Sequence, residues 1–134
     1  MSVVQGRTAE GKPLFGVIDT TKYRDFSDRS SFPWLLEIHI SLEHMTENGL
    51  PAENELETVN SFEEQIVSGL SRLTTVHNIG HITGDGLREV YCYLPEPEVA
   101  HAFLSELTQH KQVREFEYRI VEDRKWDLAA EWGL

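Results

Sequence analysis

The clearest periodicity in the chain lies between Trp34 and Leu42. Trp34, Leu36, Ile38, Ile40 and Leu42 fall on one side of an extended chain, and Leu35, Glu37, His39 and Ser41 on the other. A period of two over this length predicts a strand. The period then changes. Leu56, Val59, Phe62, Ile66, Leu70 and Leu73 recur at three- and four-residue steps, which predicts a helix from about Ala52 to Leu73 with one apolar stripe. Pro51 suits its first turn, and Asn54 followed by Glu57 supplies a capping pair. Gly69 costs such a helix roughly 1 kcal/mol against alanine unless close packing requires it.

Two further strands follow, Val76 to Thr83 and Leu87 to Leu94, joined by Gly84-Asp85-Gly86. Glycines flanking an aspartate permit the positive φ of a tight hairpin. Pro95 and Pro97 end the second strand and open a helix over Glu98 to His110, with Val99, Ala102 or Phe103, and Leu107 as its buried stripe. A last strand runs from Val113 to Val121, with Phe116, Tyr118 and Ile120 on one face. Before Trp34, the turn Ala9 to Pro13 separates two apolar runs and predicts a hairpin over Val3 to Thr20. The polar stretch Thr21 to Pro33 reads as a surface loop, and Lys125 to Leu134 as a short tail helix carrying Trp126 and Trp132. From Trp34 to Val121 the order is β-α-β-β-α-β. That is the split βαβ, or ferredoxin-like, arrangement: an α+β two-layer sandwich with both helices on one face of a four-stranded sheet. The expected organisation is one domain over 1–134. Residues 1–33 form a hairpin and loop that extends an edge or caps an end, 34–121 form the core and 122–134 the tail.

Charge narrows the partner classes. The 134 residues carry 23 acids against 12 Lys and Arg, for a net charge of −11. Affinity for nucleic acid and for anionic membranes rests on Lys and Arg neutralising phosphates, so neither is an expected partner. The acids are unevenly placed. From Ser30 to Ser71 there is no Lys or Arg, while eight glutamates occur: Glu37, Glu43, Glu47, Glu53, Glu55, Glu57, Glu63 and Glu64. One reading is a solvated helix face with acids near a helix N-terminus. The other is a docking surface for a basic protein, whose encounter a single-sign field speeds. One cysteine, Cys92, excludes an internal disulfide framework and a four-cysteine zinc site, and fits a reducing compartment. No apolar run follows a basic segment at the start, and no stretch reaches the roughly 18 apolar residues of a membrane span. The expected location is the cytoplasm.

Candidate chemistry is sparse. Six histidines are present. His77 and His81 share a strand and lie ~13 Å apart in that conformation, too far for one metal. His39 with His77 or His81, together with Glu37, is the one arrangement that would suit a divalent ion. Ordinary sheet histidines are the commoner outcome, and no cofactor is expected. Cys92, between Tyr91 and Tyr93, reads as an inert strand residue. No nucleophile elbow occurs, and the Gly84-Asp85-Gly86 turn lacks the longer glycine pattern and the Lys-Ser or Lys-Thr of a phosphate loop. If Val90, Cys92 and Leu94 face the helices, Glu89, Tyr91 and Tyr93 face outward. Outward tyrosines stack RNA bases or anchor protein interfaces, and the glutamates around them favour protein. Trp126 and Trp132 then either seal this face or anchor a partner.

The run Gly80 to Tyr93, GHITGDGLREVYCY, resembles a family known as domain of unknown function 695, through Gly80, Thr83, Gly86, Arg88, Tyr91 and Tyr93. Asn48-Gly49-Leu50-Pro51, the Glu55-Leu56 helix start and Glu122-Asp123-Arg124-Lys125-Trp126 are similar too, so the resemblance spans roughly Trp34 to Trp126. The family has no established activity. Its architecture is similar to that of acidic bacterial inhibitors of ribonuclease E, which act by binding an enzyme, although fold alone does not imply function.

The leading expectation is a non-catalytic acidic module that binds a basic protein, as a regulator or immunity-type inhibitor of a nuclease or toxin. Its expected binding residues are Glu53, Glu57 and Glu64, which helical spacing gathers on one face, with Tyr91, Tyr93 and Trp126. The rival is a small-molecule enzyme or metal-binding protein with a site at His39, His81, Tyr91 and Glu117 on the open sheet face. Self-association into a homodimer is a third reading.

Overall fold

The computed structural model describes all 134 residues. Ser2–Arg7 (β1) and Pro13–Ile18 (β2) form the N-terminal hairpin, followed by the short helix Thr20–Tyr23 (α1) and a 3-10 turn at Arg29–Ser31. Trp34–Ser41 (β3) leads to the long helix Glu53–Ser71 (α2), then to the hairpin His77–Gly84 (β4) and Leu87–Leu94 (β5). Glu98–Thr108 (α3), Phe116–Glu122 (β6) and Asp127–Glu131 (α4) complete the chain. The result is a mixed α+β architecture on one antiparallel sheet, in the order β1-β2-β4-β5-β3-β6. The sheet is larger than the four strands read from the alternating segments, because β2 pairs with β4 from Leu14↔Gly84 to Ile18↔Gly80. The hairpin therefore extends an edge. No helix is long and apolar enough to cross a membrane.

One face of the sheet carries the main core. Leu36, Ile38, Ile40 and Leu42 meet Val90, Cys92 and Leu94 from β5, Val59, Phe62, Ile66 and Leu70 from α2, and Ala100 and Leu104 from α3. Phe116, Tyr118 and Ile120 flank it, on the shared face that the alternation predicts. The helix stripes are rotated slightly from expectation. In α2, Glu55 is buried while Leu56 is exposed, because the Arg114 side chain reaches back to Glu55, and Leu73 lies exposed beyond the end of the helix. In α3, Ala100 and Leu104 are the buried pair, with Phe103 and Leu107 at the margin. Gly69 has its packing reason: a Cβ there would lie 2.8 Å from Phe103 Cζ. The cap of α2 is Ala52, without a side-chain bond, and Glu53 and Glu55 in its first turn complement the helix dipole instead.

The opposite face is covered, the sealing alternative for Trp126 and Trp132, and a second segment joins them in the cover. The stretch Thr21 to Pro33 is no free loop. Tyr23 is buried, and Phe26 and Phe32 pack with it against Leu35, Ile79, Tyr91, Tyr93, Trp126 and Ala129. Arg29 staples this cover together. Its guanidinium donates to the carbonyls of Phe26, Tyr23 and Leu134 and lies 5.2 Å from the Trp126 ring.

A β-bulge between Asn78 and Gly80 divides β4 between the two faces. An unbroken strand would point His77 and His81 to the same side. With the extra residue, His77 pairs with Tyr93 on the aromatic side and His81 with Val90 on the helix side. Gly80 permits this at φ 149°, where a Cβ would stand 2.3 Å from the Val17 carbonyl oxygen.

Candidate functional site

Helix α2 carries the concentrated charge. Glu53, Glu57 and Glu64 are all solvent-exposed and none makes an ion pair, and their spacing places them with Asn60 in one row. The other two α2 glutamates, Glu55 and Glu63, turn inward. Arg114 donates through Nε to Glu55 Oε2 at 2.8 Å and through NH2 to Glu55 Oε1, and also bridges Glu43 at 3.0 Å. The guanidinium outweighs burial and holds the Glu55 carboxyl at about 2. Glu63 accepts from Arg88 at 2.9 Å and pairs with His81 Nδ1 at 3.1 Å, while Arg88 Nε donates to Thr83 Oγ1 at 2.6 Å. Burial pushes Glu63 up, but His81 and Arg88 together keep it below the usual carboxylate range. Both buried cations thus lock α2 onto the sheet.

The expected aromatic anchors lie elsewhere. Tyr93 and Trp126 are fully buried and Tyr91 nearly so, which corrects the outward-facing expectation. Trp126 and Tyr93 stack, Trp126 Nε1 donates to the Phe32 carbonyl at 2.8 Å, and Tyr93 donates its hydroxyl to Asp123 at 2.7 Å. Trp132 packs edge-on against Tyr91. Tail and cover segment seal this end of the sheet, and no partner reaches these rings while it stays closed.

Beyond the seal, the same face ends in polar residues. The β3 register places His39 beside Glu89 and Glu117, and Glu37 beside Tyr91 and Arg119. Glu37 is buried and paired with Arg119, and Tyr91 donates to Glu89 at 2.6 Å. Burial, then Glu89, pushes the Tyr91 phenol far above its ordinary range. His39 Nε2 is buried without a hydrogen-bond partner; Glu37 Oε1 is 3.7 Å away. An open cleft of about 720 Å³ begins at His39 and runs past Ser41, Glu117 and Arg114. His39, Tyr91 and Glu117 thus share one face, with Tyr91 nearly buried beside Trp132. His81 does not, because the bulge turns it to Glu63 on the helix side. His77 accepts from the Tyr23 hydroxyl at 3.0 Å if its Nδ1 is unprotonated, far down the aromatic cluster. Neither forms a pair with His39, and no group of three His, Cys, Asp or Glu side chains is arranged to hold a metal ion. Cys92 is fully buried, and burial pushes its thiol up, away from reactivity.

Sequence reasoning missed Arg114, Arg29 and Asp123. Arg114 falls inside the stretch read as strand, and nothing in its spacing marks a side chain reaching 59 residues back. The Asp123-Arg124-Lys125-Trp126 segment was visible as a motif, and its use is structural: Asp123 accepts from Tyr93 and from the α4 amides of Asp127 and Leu128.

No curated protein and no solved structure matches the chain. A family model does, over residues 10–132, and it includes β2, the cover segment and the tail as well as the strands and helices between them. The chain belongs to the family of unknown function DUF695.

Proposed function

We propose that this protein is a non-catalytic acidic module that binds a basic protein and regulates or inhibits it, the target being an enzyme such as a nuclease or toxin. The observation that carries this reading is the row Glu53, Glu57 and Glu64, three exposed carboxylates that no cation of the chain neutralises. Such a row on a rigid helix offers carboxylates where a nucleic-acid enzyme expects phosphates, and its field speeds encounter with a cationic surface. Glu55 and Glu63 support it from beneath, because their buried pairs fix the helix in place. We read β3 to β6 with α2 and α3 as a ferredoxin-like unit, on the strand order β6-β3-β5-β4 with α2 and α3 as its crossovers. The test is capture from the native host's lysate at low and high salt, with wild-type protein and with Glu53, Glu57 and Glu64 all changed to Lys. A stoichiometric basic partner that high salt and the triple variant both release is the expected result. A partner indifferent to the three reversals would remove the reading.

A second reading rests on His39. Its unpartnered, buried Nε2 is an atom that a small polar ligand on the sheet face would satisfy, with Glu37, Glu89 and Glu117 alongside. Calorimetric screening of small metabolites against wild type and His39→Ala would favour this site if a ligand bound only the former.

A further inference from the structure

The helix layer does not cover the whole sheet. Glu63 of α2 reaches His81 on β4 and Arg88 on β5, so α2 lies over these two strands. Its other flank, at Gly69 and Phe62, meets Phe103 of α3 and Phe116 of β6. The helix-side face of β1 and β2 has no helix above it. Directly opposed residues in a sheet share a face. Val17 opposes His81 and Phe15 opposes Thr83, so both lie on the helix side, and Val3 and Gln5 oppose them from β1. Val3 is 69% exposed, and Phe15 and Val17 are only half-buried.

The uncovered strip has the dimensions of one helix. Two strands at ~4.8 Å spacing make it about 10 Å wide, close to one helix diameter and to a normal helix–helix separation. Six-residue strands give a length of about 20 Å, which ~13 helical residues span. The wall beside the strip is α2. Leu56, Glu63 and Val67 form its inner row and Glu53 and Glu64 lie above it, with Glu57 on the crest of the helix, while Leu56, 42% exposed, extends the apolar floor upward. The cations of the hairpin are already engaged, Arg7 by the Gly11 carbonyl and Lys12 by Asp85.

We propose that this groove between α2 and the β1–β2 hairpin receives an amphipathic helix of the partner protein, its apolar stripe on Val3, Phe15 and Val17 and its Lys/Arg flank against Glu53 and Glu64, with Glu57 on the helix crest adding to the same field. The inference rests on the reading of the protein as an acidic docking module and names the element it binds. Charge decides the class of occupant: an acidic or neutral helix would leave Glu53 and Glu64 facing like charge or a desolvated rim, whereas a cationic flank compensates them.

The test uses the full chain and three stapled helical peptides of equal length. One is amphipathic with a Lys/Arg flank, one is its scrambled isomer, and one carries a Glu flank. Binding is read by fluorescence anisotropy at low and high salt. The amphipathic cationic peptide is expected to bind about tenfold or more tighter than either control. Val3→Glu, at an exposed site, and the triple Glu-to-Lys change should each weaken it by a similar factor, and amide protection should rise on β1, β2 and α2. Equal binding of the scrambled isomer, with Val3→Glu silent, would overturn the groove while leaving acidic docking intact. Failure of every cationic peptide would overturn both. A wild-type dimer dissociated by Val3→Glu would assign the groove to a second copy and overturn the inference.

Discussion

Trp126 lies flat on Tyr93, with ring centroids 3.9 Å apart and planes 8° from parallel. The pair joins the tail to the middle of the sheet, and the Tyr93–Asp123 bond closes the same loop from its other side. Trp126 holds a left-handed backbone at φ 57°, a conformation uncommon for a bulky residue and maintained here by its stacking and its bond to Phe32. Trp126→Ala should cost about 3–5 kcal/mol in urea unfolding, the range for emptying a large buried aromatic site. Trp126→Phe keeps a ring on Tyr93 and loses the indole bond, so it should cost distinctly less. Equal losses in the two variants would mean that stacking contributes little.

Glu55 and Arg114 make a separable prediction. Removing one partner of a buried ion pair strands a charge, whereas replacing both by apolar residues of similar volume does not. Glu55→Ala should destabilise by about 3 kcal/mol, and Glu55→Leu with Arg114→Met should recover most of it. The pH dependence follows from a carboxyl held at about 2 rather than 4.5. A depressed folded-state value adds stability above the unfolded value and loses it as pH falls from 4.5 toward 2. The double replacement should flatten acid unfolding in that window. An unchanged acid limb would remove Glu55 from the account.

Much of the fold was legible because the periods are strong. The alternation of Trp34 to Leu42 and the three-four spacing of Val59, Phe62, Ile66 and Leu70 each admit one element type. What stayed hidden depends on contacts between distant segments. Tyr23, Phe26 and Phe32 sit in a polar run without periodicity, so nothing local marks them as the cover of the sheet. The bulge at Gly80 gives no pattern, yet it decides that His77 and His81 part company. The motif residues Thr83, Arg88 and Tyr93, together with the Asp123 to Trp126 segment, all serve the scaffold, through Glu63, the sheet and the tail. The resemblance therefore reported a fold, and the candidate surface on α2 came from charge spacing alone.

Gly80 has the least room for a Cβ of any glycine in the chain. A Cβ would stand 2.3 Å from the Val17 oxygen and 3.0 Å from Ile18 Cα, both backbone atoms of β2, at a φ that L residues avoid. Gly80→Ala should cost about 2–4 kcal/mol and loosen the β2–β4 pairing first, visible as faster amide exchange in β1 and β2 than in β5. Gly6→Ala meets nothing within 4 Å and serves as the control, with a change within about 0.5 kcal/mol. Uniform exchange acceleration across the sheet would show that the clash is absorbed elsewhere.

His77 gives the cover a pH dependence. Its ring packs between Phe26 and Phe32, with centroids 4.8 and 4.3 Å away, and its Nδ1 meets the Tyr23 hydroxyl. Burial, then Lys22, lowers its pKa below 6.5, against the opposing pull of Asp28. Of the remaining charged side chains of the cover, Arg29 is committed to backbone carbonyls, and Arg24 and Asp25 are exposed. Above about 6.5 both folded and unfolded chains hold His77 neutral, and it adds no slope. As pH falls below 6.5 the unfolded chain takes up a proton that the folded chain resists, so stability declines until the folded value is passed. His77→Gln retains an acceptor for Tyr23 and cannot charge. It should abolish the decline in Tm between pH 7 and 5 while leaving the steeper acid limb of Glu55 in place. Amide exchange in 20–32 should quicken with acidity in the wild type and stay level in the variant, because protonation strikes the bond that ties α1 to β4. If both proteins lost Tm equally over that interval, the titrating group would lie outside the aromatic cluster.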